Sequence, residues 1–119
     1  MKLSAMLFPL LLSLLAIGGA GAQYTGPGAT AMPGSVAEVL KDPVDDRKVL
    51  LRGKLLKKVS SDKYLFSDGS GEIRVEIDDD LFRGIKVSDT SEIEIYGEIE
   101  KDFLRDPEID VRRITVITP

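Results

Sequence analysis

Between Val49 and Val116, apolar residues return at every second position in five separate runs, which is the period of a strand burying one face. In the first run Val49, Leu51, Gly53 and Leu55 share one side, with Leu50, Arg52, Lys54 and Leu56 on the other. Ser60-Ser61-Asp62 makes a turn, Lys63 to Ser67 returns, and Asp68-Gly69 turns again. The third run places Ile73, Val75 and Ile77 inward and Glu72, Arg74 and Glu76 outward. Asp78-Asp79-Asp80 and Gly84 then break the pattern, leaving room for one helical turn at Leu81-Phe82. In the fourth run Ile93, Ile95, Gly97 and Ile99 point inward. The fifth keeps Ile109 in phase with Val111 and then Ile114 with Val116, so a one-residue slip falls at Arg112-Arg113, as a bulge would give.

Five half-buried strands without a long helix between them predict an all-β fold, a small antiparallel barrel or sandwich. Gly53 and Gly97 interrupt the inward rows in mid-strand, where a barrel of few strands coils most sharply. A five-stranded Greek-key OB barrel fits best. Ahead of it, Ser35 is placed to cap a short helix, with Glu38 three residues on and Val36, Val39 and Leu40 on one face. That helix stops before Pro43, and its stripe is small enough that it must plug one end of the barrel.

Residues 1–22 stand apart. Met1-Lys2 gives a basic start, Leu3 to Ile17 an apolar run and Ala20-Gly21-Ala22 a small-residue cleavage site, which together predict a removable export signal. The run is short for a retained span, so no stable membrane insertion is expected after cleavage. Residues 23–34, QYTGPGATAMPG, are uncharged and rich in Gly and Pro, a flexible arm, and residues 35–119 form the domain. The expected location is the periplasm.

Composition removes several chemistries. With no His and no Cys there is no imidazole base, thiol nucleophile, disulfide or ordinary zinc site, and no cofactor is expected. The leader holds one basic residue, Lys2, and no acidic one, so its loss takes the net charge from −4 to −5. An acidic surface repels phosphate backbones, and the outward row Glu72, Arg74, Glu76 lacks the rings that stack bases. Tyr64 and Phe66 share one side of the second strand and read as core or barrel-mouth residues. Nucleic acid is therefore not an expected partner. Glu76 and Glu98 form the one conceivable acid/base pair, but an open strand face beside Arg and Lys keeps both ionised, and no G-x-S-x-G elbow or phosphate loop is present. A non-enzymatic role is expected.

The stretches VAEVLKDPVDDRKVLLRGKLLKKV, YLFSDGSGEIRVEIDDD, EIEIYGEIEKDF and EIDVRRI, behind a leader and YTGPG, resemble the bacterial OB-fold (BOF) family of small exported YgiW/YdeI-like stress-tolerance proteins. The resemblance spans nearly all of the mature chain. It implies an OB barrel with an N-terminal helix, a periplasmic location, and a part in envelope or chemical stress tolerance through binding. Phe82 and Phe103 stand where related sequences often carry Trp.

Two surface features are candidates for binding. Arg52, Lys54, Arg74, Glu76, Glu94, Tyr96, Glu98 and Arg112 point outward from neighbouring strands. They make either a solvated face of cross-strand ion pairs or a shallow polar groove for a small periplasmic ligand or an envelope protein. Asp78, Asp79 and Asp80 are weak candidates for a hard cation, without the alternate-ligand spacing of a calcium loop, and otherwise read as an exposed turn capping the helical turn that follows. The second functional reading is an acidic buffer that binds metal ions or basic peptides by net charge.

Overall fold

The computed structural model describes residues 32–119; the expected leader and most of the Gly/Pro arm lie outside the described residues. One long strand organises them. β1 (Lys48–Lys58) pairs with β4 (Glu92–Glu100) through its first half, Lys48 to Gly53, and with β2 (Lys63–Ser67) through its second, from Lys54 onward. β2 forms an antiparallel hairpin with β3 (Glu72–Glu76). β5 (Glu108–Thr118) runs antiparallel to β4 and parallel to β3, over Arg74–Glu76 against Glu108–Asp110. The ring closes in the order β1-β2-β3-β5-β4, the connectivity of an OB barrel. The expected antiparallel pairing holds for four of the five contacts, and the closing β3–β5 pair is the exception.

Both interior glycines sit where neighbouring backbone comes too close for a side chain. Gly53 lies at the point where β1 changes partners; a Cβ there would collide with the Ser67 carbonyl oxygen and come within 2.9 Å of the Phe66 ring. On β4, a Cβ at Gly97 would collide with the Asp110 carbonyl oxygen and come within 3.0 Å of the Val111 Cα. Gly97 faces the bulge itself: Tyr96 pairs with Arg113 and Gly97 with Val111, so Arg112 is the extra residue. The slip expected at Arg112-Arg113 is therefore real. A second bulge, between Leu55 and Lys57 on β1, leaves Leu56 without a partner on β2.

The inward rows fill the ring with Val49, Leu51, Phe66, Val75, Ile93, Ile95, Ile99 and Ile109, all fully buried. Each such side chain contributes about 1.5–3 kcal/mol relative to exposure. Helix α1 (Val36–Lys41) covers one end through Val36 and Val39, while Leu40 lies at its exposed edge instead of sharing their burial. Ser35 Oγ accepts the Glu38 N–H at 3.1 Å, and Glu38 reaches back to the Gly34 N–H at 3.1 Å. The tertiary cap is Asp68, whose carboxylate accepts the Val36 N–H at 2.9 Å from the β2–β3 turn. Burial pushes the Asp68 carboxyl up, but bonds from the Ser70 hydroxyl and from the N–H groups of Val36, Ser70 and Gly71 outweigh it and hold it below the usual range. The other end is covered by the β3–β4 connection, where a 3-10 turn (Asp79–Phe82) packs Leu81 and Phe82 on the core. Asp78 precedes that turn without the expected side-chain cap; its carbonyl accepts the Leu81 N–H at 2.9 Å.

Gly97→Ala is expected to lower stability by about 1–3 kcal/mol, because the obstruction is backbone on the partner strand and cannot change rotamer. Urea unfolding with an unchanged slope would measure it; an unshifted midpoint would mean that β5 can retreat from β4 at little cost.

Candidate functional site

The outward residues form a belt whose charges are mostly paired. At one level Lys63, Glu76, Asp110, Glu98 and Lys48 follow one another across all five strands. Lys48 Nζ lies 2.8 Å from Glu98, which also meets Arg112 at 3.3 Å, and Arg112 meets Asp110 at 3.1 Å. Arg52 and Glu94, directly opposite on β1 and β4, pair at 2.9 Å. Tyr96 carries the Arg113 guanidinium over its ring at 4.7 Å. The Lys48 hydrogen bond holds the Glu98 carboxyl below its ordinary range. Of the residues singled out in the sequence, Arg52, Glu94, Tyr96, Glu98 and Arg112 thus come together on β1, β4 and β5. Arg74 and Glu76 join them through β5, whereas Lys54 faces Ser67 on β2 and makes no ion pair among the described residues.

The acidic centre of the belt involves residues that strand alternation alone did not select. Carboxylate oxygens of Glu76, Glu100 and Glu108, from β3, β4 and β5, lie within 4.8 Å of one another. Glu108 is 8% exposed and already has its cations: Lys63 at 2.8 Å and Arg74 at 3.5 Å. Desolvation raises the Glu76 carboxyl, helped by repulsion from Asp110, Asp62 and Glu100 and opposed by Lys63. Glu100 is raised in the same way, by desolvation first and then by Asp110 and Glu108. Lys63 and Arg74 both sit on Glu108, so they offset part of the cluster's negative charge and leave Glu76 and Glu100 without an ion-pair partner of their own among the described residues. Asp78, Asp79 and Asp80 do not converge: all three are exposed, and Asp80 holds Arg83 at 3.0 Å.

A concave site lies at the barrel end opposite α1. A cleft of about 770 Å³ opens between the second half of β1, the start of β2 and the β3–β4 connection. Its apolar lining includes Leu55, Leu56, Tyr64, Phe82, Ile85 and Val87. Tyr64 and Phe82 meet edge to face with ring centres 5.6 Å apart, fixing the connection against β2. Lys57, Lys58 and Lys86 stand on its rim, and Lys58 Nζ lies 5.6 Å from the Tyr64 ring centre. Leu56 reaches the cleft as the bulge residue, and the adjacent apolar pair Leu55-Leu56 was the only sign of this in the sequence. Size and lining match those of small-molecule sites. By contrast Phe103 and Leu104, 89% and 78% exposed at the tip of the β4–β5 loop, enclose nothing.

The ring order, the partner switch of β1 and the two covered ends define an OB-type barrel, with a charged outer wall and an apolar end cleft as its candidate surfaces. The chain belongs to the bacterial OB fold family: the family model described as bacterial OB fold (BOF) protein matches residues 17–116. It is 38% identical over 96 residues to the calcium-regulated OB-fold protein CarO of Pseudomonas aeruginosa, covering 81% of each chain. It is also 38% identical over 106 residues to protein YgiW of Escherichia coli K12, again with 81% of each covered. The solved structure of ygiW from E. coli superposes with a TM-score of 0.66 at 35% identity, covering 81% of this chain and 99% of that one. Neither relative's name denotes an enzyme. No helix among the described residues is long and apolar enough to cross a membrane.

The raised carboxyls have a definite sign. Because Glu76 and Glu100 protonate more readily folded than unfolded, the native state gains stability as pH falls through their folded pKa values and loses it as pH rises. Glu100→Gln should therefore stabilise the protein at about pH 7, by a few tenths of a kcal/mol to about 1 kcal/mol, and the advantage should vanish near pH 4. Melting temperatures of both proteins across that range test this. A constant difference would mean that the side chain acts through packing alone.

Proposed function

We propose that this chain is an exported, non-catalytic binding protein of stress tolerance that takes a small ligand with an apolar body into the end cleft. The observation carrying this reading is the cleft itself, about 770 Å³ in volume and walled by Leu55, Tyr64, Phe82 and Val87. Membership of a family whose relatives include YgiW and CarO supports a binding role in stress, and the leader-like residues 1–22 support export to the periplasm. The mixed-charge wall is the less favoured surface, whether for a small ligand or for an envelope protein. It is convex, and Arg52, Arg74, Arg112 and their acidic partners already satisfy one another. The acidic-buffer reading draws instead on carboxylates outside the ion pairs, among them Asp45, Asp46, Asp102 and Asp106 around a second, smaller depression, and it lacks an apolar wall to hold a ligand's body.

Nile red, a neutral apolar dye, should light up at a single saturable site. Leu56→Glu, which puts a charge on the cleft wall at an already exposed position, should weaken it ~10-fold or more, in keeping with the burial of one leucine side chain. Leu50→Glu, equally exposed but on the outer wall, should leave dye binding unchanged, with circular dichroism confirming that both variants fold. Equal loss in both variants, or none in either, would remove the cleft as the site. Export has its own measurement: the mass of the protein recovered from periplasm should correspond to a chain beginning at Gln23.

A further inference from the structure

On the outer wall Lys48, Arg52, Lys63, Arg74 and Arg112 each lie within ion-pair range of a carboxylate, while Lys54 and Arg113 have no such partner among the described residues. What sets the cleft apart is that its unpaired cations cluster around one opening. Among the described residues, Lys57, Lys58 and Lys86 have no acidic partner, and all three are exposed around one apolar depression. Asp89, and in a chain that stops at Pro119 the terminal carboxylate, oppose them on the same rim, which leaves an excess of positive charge. In a protein of net charge −4, a local basic excess at the mouth of an apolar cleft is the reverse of what the whole surface would give.

We infer that the ligand of the cleft is an amphipathic anion, with an acyl or aromatic body against Leu55, Tyr64, Phe82 and Val87 and a carboxylate or phosphate head held at the rim by Lys57, Lys58 and Lys86. The apolar lining is what dehydrates the body of such a molecule, and flexible lysines are suited to a head group of undetermined geometry because they act as point charges. Lys58, lying along the Tyr64 ring, is held at the boundary between body and head. A neutral amphipath would leave the three ammonium groups unused, and a cationic one would meet them head-on. The monomeric anion in solution is the chosen form, because the apolar residues line a concave cleft and not an amphipathic helix face of the kind that lies on lipid headgroups.

The inference rests on the cleft reading above, and the experiment separates the two. Decanoate, decanol and decyltrimethylammonium, all below micelle formation, are titrated against the Nile red complex of the full mature chain. Decanoate should displace the dye about tenfold more tightly than decanol, equivalent to about 1.4 kcal/mol, and decyltrimethylammonium should be weakest. The triple variant Lys57→Gln, Lys58→Gln, Lys86→Gln should bring decanoate down to the level of decanol and leave decanol itself unchanged. If none of the three displaces dye, the cleft is not the site. If decanoate and decanol compete equally in the unmodified protein, the cleft stands and the anionic head is wrong. Co-sedimentation with phosphatidylglycerol vesicles without displacement by decanoate would overturn the choice of a free ligand.

Discussion

A ring of five strands can close only if its backbones cross at distances that ordinary side chains forbid, and in this protein two glycines make that approach possible. Gly53 lets β1 leave β4 and join β2; Gly97 lets β4 follow β5 past its bulge. Everything inside depends on those crossings. The core residues Leu51, Phe66, Ile93 and Ile95 meet because the sheet has curled far enough to bring all inward rows onto one axis. With a core this small and no disulfide, the two ends matter as much as the wall, and each is covered by a separate element: α1 at one, the β3–β4 connection at the other.

Closure also decides which charges meet. Lys63 finds Glu108, and Arg74 finds it too, because β5 comes to lie beside β3. That adjacency sets Glu76 against Asp110, and the antiparallel β4–β5 pair sets Glu100 against Glu108, so carboxylates crowd where β5 lies between β3 and β4. Lys63 relieves part of this repulsion and is itself raised by its hydrogen bond to Glu108. Outer-wall pairs of this kind are individually weak, and the register of the strands is set by their buried rows and turns.

Much of this was legible in the sequence. Alternation located all five strands, the slip at Arg112-Arg113 located a bulge, and Ser35 with Glu38 located the start of the helix. Those signals are local, carried by neighbours in the chain. What could not be read was set by strand order. Glu108 and Asp110 became part of the charged belt through the parallel β3–β5 contact, which leaves no trace in either strand's own pattern. The cleft was hidden for a related reason. It is assembled from β1, β2 and the β3–β4 connection, and its lining residue Leu56 breaks the alternation that assigned it to the opposite, solvated side. Leu40 failed on a smaller scale: it shares the helical face of Val36, as i+4 spacing requires, but sits in the last turn at the edge of the barrel end, where no described residue covers its outer side.

The competition between wall and cleft is then a question of area and of prior commitments. A ligand laid on the convex wall covers little surface and must exchange existing ion pairs for new ones of similar worth, so its net gain is close to zero. In the cleft the same ligand removes apolar lining and its own body from water, at roughly 25 cal/mol per Å², before any charge is counted. Nor does the acidic character of the whole chain exclude an anion there. At physiological ionic strength fields decay over about 8 Å, so a head group among Lys57, Lys58 and Lys86 is governed by those nearby ammonium groups, while distant carboxylates on the far side of the barrel are screened.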